Sequence, residues 1–530
     1  MTDQSIWAAL AAGTGARGLS GVLFAKAAAA PDTVAFRFDE EDWTRGRLAA
    51  EVGRMAQALL AMGLRAGDRI VFHMRSSPEL VVGYYACFAT GIIAAPMKAE
   101  LKTAELEALV RRLRPALYIG HPDLCDTAAG IADGILPPGR RLAIGSAADL
   151  QAWAAGHADA GGPAGVAGLL RAVDLDATAI LLCTSGTTAE PKFVVHSQNS
   201  LAHAVARLVA TPVDSGMWMV APNPMMHMSG LMTVVRCLTD AMPFALMRRF
   251  DADQVLDTIA RHPSTFMTGM AYMYSAMVEA QSARRRSIGP GCIFVSTGDA
   301  VPVELQQRFR DAFGVRLRSM WAATEAVGSV GPGPVDGPVS TPSPQAEYRL
   351  VDDRGEPVRR GEAGELLLRG PNVTPGYWIG PDTIDSARRN GWFHTGDLMR
   401  QDEAGDLWFS ARKKDLIIRG GSNISPVEVE QVLASHPAVR DVAVVGVPDA
   451  VLGQRVCGLV QLADGHSPPE LTDILDHATA RLADYKVPET LLVVAAIPRN
   501  TLGKVDRRAA EAMAQGCGSP GGVSLAPVRR

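Results

Sequence analysis

The sequence predicts an α/β protein. A large N-terminal domain of layered α/β subdomains carries a β-barrel-like subdomain at its end, and a small, mobile α+β C-terminal domain follows. Three observations carry this expectation. Short apolar runs alternate with amphipathic stretches through the first part of the chain, the pattern of strands and crossover helices. From about residue 340 the texture changes to strands punctuated by Asp/Gly turns. After about residue 414 the helix–strand alternation returns for the length of an ordinary small domain. The expected divisions are 1–413 (α/β to about 339, barrel-like from about 340), 414–514, and a disordered Gly/Pro-rich tail at 515–530.

Taken in order, the strand candidates of the first part are DRIVFHM (68–74), ALYIGH (116–121), AILLCTSG (179–186), MWMVAPN (217–223) and CIFVST (292–297). Helical spacing marks NSLAHAVARLVA after residue 198, DADQVLDTIARH (251–262) and PVELQQRFRDAFG (302–314). The uncharged run LVVGYYACFATGIIAAPM (80–97) approaches membrane-spanning length, but Gly83, Gly91 and Pro96 interrupt it. It reads as a buried helix, a turn and a strand. In the barrel-like part, DDRG and DEAG are hairpin loops between AEYRLVDDRGEPV, GELLLRG and MRQDEAGDLWF. In the last domain SPVEVEQVLASHP is a helix opened by Ser425 and Pro426, followed by the strands DVAVVGVPD and RVCGLVQLA, the helix PPELTDILDHATARLA and the strand ETLLVVA.

Composition narrows the class. The 530 residues allow roughly three or four domain-sized units and a large core. A net charge of −4 argues against nucleic acid or an anionic membrane as the main partner. The seven cysteines include no CxxC pair, which fits reduced, cytoplasmic usage without structural zinc or disulfides. The start MTDQSIWAAL has no signal-peptide pattern, and no internal repeat is evident.

CTSGTTAEPK (183–192) lies between an apolar strand and a helix. Thr184, Ser185, Thr187 and Thr188 surround Gly186, and Lys192 closes the segment. Hydroxyls and backbone N–H groups donate to phosphate oxygens, and lysine adds a point charge. The segment is not GxxxxGK[ST], so it is no ordinary P-loop. Alone it fits a phosphate clamp and a Ser/Thr-rich turn equally well.

TSGTTAEPK resembles the phosphate loop of the adenylate-forming superfamily: acyl-CoA synthetases, nonribosomal adenylation domains and firefly luciferase. The family pattern is TSGTTGxPKG. STGDAVP (296–302), WAATE (321–325), GWFHTGDL (391–398), ARKKDLIIRGGSNISPVEVE (411–430) and IPRNTLGKVDR (497–507) resemble its further motifs in family order. The resemblance implies an AMP-forming carboxylate–CoA ligase using ATP, Mg2+ and CoA, with no tightly bound organic cofactor. It implies that the hydroxyl loop and Lys192 hold the β- and γ-phosphates and that Glu325 is the Mg2+ ligand. Trp321 would stack on adenine against Gly298, Asp299 and Ala300, with Ala322 and Thr324 beside it. Asp397 would accept from the ribose hydroxyls near Arg412, and Lys504 would reach the α-phosphate and the attacking carboxylate. Singly, Trp321 reads as core, Asp397 as a turn residue, and Glu325 and Lys504 as solvated charges; the joint pattern lifts them together. Arg412, Lys413 and Lys414 fit a solvated face or a hinge, and the resemblance implies a hinge at Lys414. Domain rotation would then bring Gly421 to line the tunnel for the CoA arm.

For the acid, PNPMMHMSGLM (222–232) resembles the segment bordering the family's acyl site, with His227 at the matched position. Met228 and Met270 are its expected walls, in a neighbourhood that also holds Met225, Met226, Met232, Met267 and Met273. No aspartate precedes Asp240 here to meet an amino-acid ammonium, so an apolar acid, fatty or aryl/alicyclic, is expected. A carrier protein as acceptor, an impaired nucleotide-binding homologue and a homodimer remain alternatives at this point. Impairment is suggested by departures from the family pattern. Ala189, Phe193, Thr297, Ala322 and Ala411 replace glycines, and Gln198 replaces a histidine. Phe193 would either narrow the acyl site or pack behind the loop.

Overall fold

The computed structural model describes residues 2–11, 14–157, 172–184, 191–208, 216–298, 300–381, 383–463, 471–500 and 504–516. The alternating first part builds two sheets. One has seven strands in the order Leu317–Met320, Ile293–Thr297, Thr265–Gly269, Trp218–Ala221, Phe244–Leu246, Val34–Phe38 and Glu41–Thr44. Its pairs are parallel except the last. The other has eight strands. Arg141–Ala143, Leu117–Gly120, Arg69–His73, Ile93–Met97 and Thr178–Thr184 run parallel, and Lys192–Ser197, Gly376–Gly380 and Thr383–Ser386 add on antiparallel.

The helices Arg45–Ala61, Pro78–Thr90, Gln198–Leu208 and Met228–Asp240 share the largest core with strands of both sheets. Pro78–Thr90 explains the long uncharged run. The Ser77 hydroxyl accepts from the Leu80 N–H, Pro78 opens the first turn, and every residue of the helix is buried. Gly91 ends it at φ +73°, which glycine adopts without a Cβ penalty. Among the described residues no helix is long and apolar enough to cross a membrane.

The antiparallel region forms a sheet in the order Val330–Pro332, Val339–Pro342, Leu407–Arg412, Trp392–Gln401, Ala363–Arg369 and Glu347–Val351. It takes in strand residues before 340. It also gives up Gly376–Gly380 and Thr383–Ser386, which cross to the eight-stranded sheet. The single turn Lys413–Asp415 leads out of it. Beyond lies a five-stranded sheet built on the long hairpin Val439–Asp449 and Gly453–Leu462, packed by the helices Pro426–Ala434 and Leu471–Thr479. Ser425 caps the first of these by accepting from the Glu428 N–H. The helix Arg507–Gly516 runs into the start of the expected tail, and residues 517–530 lie outside the described residues.

Phe193 packs into a core of the eight-stranded sheet. Its side chain is fully buried with Ile93, Met97, Val195 and Trp378. Trp378 meets it edge-on at 6.1 Å, and the Arg112 guanidinium lies 5.1 Å from its ring centre. Phe193→Ala is expected to lower unfolding free energy by about 3–5 kcal/mol, the usual cost of emptying a buried phenylalanine site. Urea denaturation of the two proteins checks this.

Candidate functional site

The strands Thr178–Thr184 and Lys192–Ser197 form a hairpin in which Cys183 faces Phe193 and Thr184 faces Lys192. The turn between them, with Ser185, Gly186, Thr187, Thr188 and Ala189, lies outside the described residues, as does Asp299. Burial pushes the Cys183 thiol pKa up.

Next to this hairpin lies Gly376–Gly380, with Tyr377 opposite Val194 and Trp378 opposite Phe193. Side chains alternate along a strand, so with Trp378 in the core Tyr377 takes the other face. Its hydroxyl donates to Glu325 Oε1 at 3.2 Å, and Lys192 Nζ lies 4.4 Å from its ring centre. The Thr374 N–H donates to the Glu325 carbonyl at 2.7 Å, and the Thr374 hydroxyl donates to the Val195 carbonyl at 2.7 Å. His196 supplies a further tie. Its Nε2 lies 2.8 Å from the Thr324 carbonyl, which only accepts, so Nε2 carries the proton. Glu325 is thus held from its own backbone, its neighbour's backbone and its side chain. Burial raises its carboxyl pKa, against smaller opposing effects of its own backbone N–H, Tyr377 and Arg412.

Asp397 stands opposite Arg412 across a strand pair, with Arg412 Nε 3.3 Å from Oδ1. The Trp321 indole N–H donates to Asp397 Oδ2 at 2.7 Å. The tryptophan edge is therefore bound to the carboxylate, an anchoring that the adenine-stacking expectation did not include. Burial raises the Asp397 pKa, while Arg412, Trp321 and Lys504 act in the opposite direction.

Lys504, from the C-terminal domain, reaches this group. A Cβ built on Gly298 would lie 3.4 Å from Lys504 Cε and 3.9 Å from Met270 Cγ, so Gly298, Met270 and Lys504 converge. Gly298 has φ +91°, a conformation that favours glycine. His227 precedes the helix Met228–Asp240. Gly230 lets that helix sit against the preceding turn, since a Cβ there would come 2.3 Å from the Pro224 carbonyl oxygen. Burial, then the charges of Lys98 and Lys504, push the His227 pKa down to about 3, so its ring is neutral at physiological pH. Arg440 of the C-terminal domain also pairs with Glu279 of the N-terminal domain at 2.8 Å.

The profile of the AMP-binding enzyme family matches residues 23–378, and that of the AMP-binding enzyme C-terminal domain matches residues 428–504. The chain belongs to the AMP-binding enzyme family. This AMP-binding enzyme is 31% identical to a feruloyl-CoA synthase of Amycolatopsis sp over 91% of this chain and 96% of that protein. It is 31% identical to a 2-succinylbenzoate–CoA ligase of Geobacillus kaustophilus over 90% of this chain and 94% of that protein. The O-succinylbenzoate coenzyme A synthetase of Bacillus subtilis, solved with ATP and magnesium ion, aligns with a TM-score of 0.77 at 26% identity. That alignment covers 93% of this chain and 99% of the other. The chain is an ATP-dependent, AMP-forming acid–CoA ligase.

The AMP-binding enzyme offers magnesium a particular kind of place. Among the described residues no cluster of three or more His, Cys, Asp or Glu could hold a metal. Glu325 is a single carboxylate that shares Tyr377 with Lys192, and a lone oxygen ligand of this kind fits a hard cation that would arrive with ATP.

Several expected residues are not brought into the site. Gly421 lies at the exposed tip between Ile417–Arg419 and Ser422–Ile424, with nothing within 4 Å of a built Cβ. Lys414 sits in the connecting turn, 3.9 Å from Asp415. Met228 is buried in the core, as are Met225, Met226, Met232, Met267 and Met273, while Met270 is half-buried. Phe193, Thr297, Ala322 and Ala411 all have φ outside the left-handed region, so these replacements of glycine strain nothing. Gln198 accepts from the Leu19 N–H and donates to the Phe88 carbonyl, both at 2.9 Å, and works as a core staple. Tyr377, His196 and Lys98 were missed in the sequence. Only the GYW run beside a strand signal marks the first, and nothing marks the others.

His196 gives the site an acid sensitivity. Burial pushes its pKa down to about 4. The unfolded chain, with an ordinary histidine pKa of about 6.5, binds a proton that the folded one refuses. Its stabilising share is complete above that pH and is lost as pH falls toward 4. His196→Gln keeps a donor for the Thr324 carbonyl and removes the titration. Between pH 7 and pH 5 the parent is expected to lose on the order of 2 kcal/mol more stability than the variant. Urea midpoints at the two pH values check this.

Proposed function

We propose that this ligase activates an apolar carboxylic acid, fatty or aryl/alicyclic, and that the residues gathered around Gly298 divide the work. The observation that carries the reading is the convergence of Lys504, Gly298 and Met270, with Lys504 in electrostatic reach of both Asp397 and His227. The triphosphate takes the hydroxyl loop and Lys192. Glu325 would hold magnesium, which when bound would neutralise charge on the phosphate oxygens. The ribose takes Asp397, held by Trp321 and Arg412. A carboxylate oxygen attacks the α-phosphorus, the bond to the bridging oxygen breaks, and pyrophosphate leaves. Both reactants are anions, so the Lys504 ammonium lowers the barrier by meeting the charge that grows between them. Rotation about Lys414 then withdraws Lys504 and brings Gly421 in. The CoA sulfur attacks the acyl carbonyl, the thiol proton passes to solvent, and AMP leaves.

A neutral His227 and the apolar Met270 at Gly298, each within reach of Lys504, support an apolar acyl group. So does the feruloyl-CoA synthase relative, whose acyl group carries an aryl ring. A cytoplasmic setting suits the sequence's seven cysteines, which include no CxxC pair.

Acid-dependent ATP–pyrophosphate exchange over a panel of fatty, aryl, alicyclic and amino acids tests the reading. Exchange with apolar acids and a CoA thioester product are expected; exchange confined to amino acids or to charged short acids overturns it. Lys504→Ala is expected to lose adenylation by about two or more orders of magnitude, corresponding to a transition-state contact of about 3 kcal/mol. It should still form thioester from supplied acyl-AMP. Gly421→Trp is expected to do the reverse, with exchange intact and thioester formation blocked. Single-turnover assays of each half-reaction check both variants.

A further inference from the structure

We infer that Tyr377 is a positioning residue for ATP activation: its ring and hydroxyl keep the Lys192 ammonium and the Glu325 carboxylate side by side but unpaired, each free for its own ligand. This rests on the reading above that Lys192 meets phosphate oxygens and Glu325 meets magnesium.

Two opposite charges in a recess attract strongly. A direct contact would neutralise both and would have to break before either took up Mg·ATP. No ion pair joins Lys192 to Glu325. Tyr377 lies between them and offers each a neutral partner. The ammonium sits 4.4 Å from the ring centre, and the carboxylate accepts from the hydroxyl at 3.2 Å. A ring face and a neutral donor are weaker partners than a full charge, so they orient the two groups and still yield them to phosphate and metal.

The tyrosine itself is tightly placed. Trp378 fixes the strand from the other face against Phe193. Thr374 ties the same segment to Val195 and to the Glu325 backbone. At Gly376 a Cβ would come 2.1 Å from the Asp385 carbonyl oxygen, so only glycine lets the neighbouring strand close in. One segment thus touches the phosphate-loop strand and the metal carboxylate together, although 52 residues separate Tyr377 from Glu325 in sequence.

Two variants divide the roles. Tyr377→Phe keeps the ring under Lys192 and removes the donor to Glu325. Half-saturating Mg2+ in pyrophosphate exchange at fixed ATP should rise about tenfold, the effect of one hydrogen bond to a charged group, while KM for ATP stays within about twofold. Tyr377→Leu removes both contacts, and Mg·ATP affinity by calorimetry should fall about tenfold or more. AMP carries neither the outer phosphates nor the metal, so its calorimetric affinity should stay unchanged in both variants. Unchanged Mg2+ dependence in Tyr377→Phe overturns the inference. So does an AMP affinity that falls in step with Mg·ATP in Tyr377→Leu, which would mark a merely structural residue. Glu325→Gln separates this from the underlying reading. If Glu325→Gln raises the Mg2+ requirement and Tyr377→Phe does not, only the positioning role falls. If Glu325→Gln leaves the requirement unchanged, the metal assignment falls and takes the inference with it.

Discussion

The hairpin of Thr178–Thr184 with Lys192–Ser197 is the pairing on which the site depends. Thr184 and Lys192 face each other at its open end. Along its second strand, Phe193 and Val194 pair with Trp378 and Tyr377, Val195 accepts from Thr374, and His196 donates to the Thr324 carbonyl. Strand geometry turns this single register into four separate attachments. A slip of one residue would exchange the faces of Phe193 and Val194, putting a phenyl ring where the charged groups now lie. The rest of the eight-stranded sheet and its helices hold that register in place.

The electrostatic design follows from how deeply the acids sit. Glu325 and Asp397 both have pKa values raised by burial. Each is compensated by a neutral aromatic donor, Tyr377 for one and Trp321 for the other, with Arg412 bearing on both. Lys504 adds a positive charge from the C-terminal region, within electrostatic reach of Asp397 and His227. The Gly421 tip stands apart from this group, exposed and with nothing within 4 Å of a built Cβ.

Most of the architecture was legible in the sequence because its signals are local. Pro78–Thr90 and the following strand could be read from Gly91 and Pro96, and the helix at Pro426 from its capping serine. The charged site residues were legible only through their family motifs, since a lone glutamate or loop lysine carries no signal of its own. Three things were not legible, each for a long-range reason. Gly376–Gly380 reads as one more strand of the antiparallel region, and nothing local says that it crosses to another sheet. Tyr377 inherits its position from that crossing. Phe193 could be assigned to core or pocket only once its partner Trp378 was known.

Cys183 has a bearing on the chemistry through what it does not do. It stands one residue before Thr184, packed against the core that holds Phe193, in an enzyme whose second substrate is itself a thiol. The nucleophile in thioester formation is the thiolate, and burial holds Cys183 in the protonated form. The hairpin thus carries a sulfur that the sheet keeps out of thiolate chemistry, so its place beside Thr184 adds no strong nucleophile there.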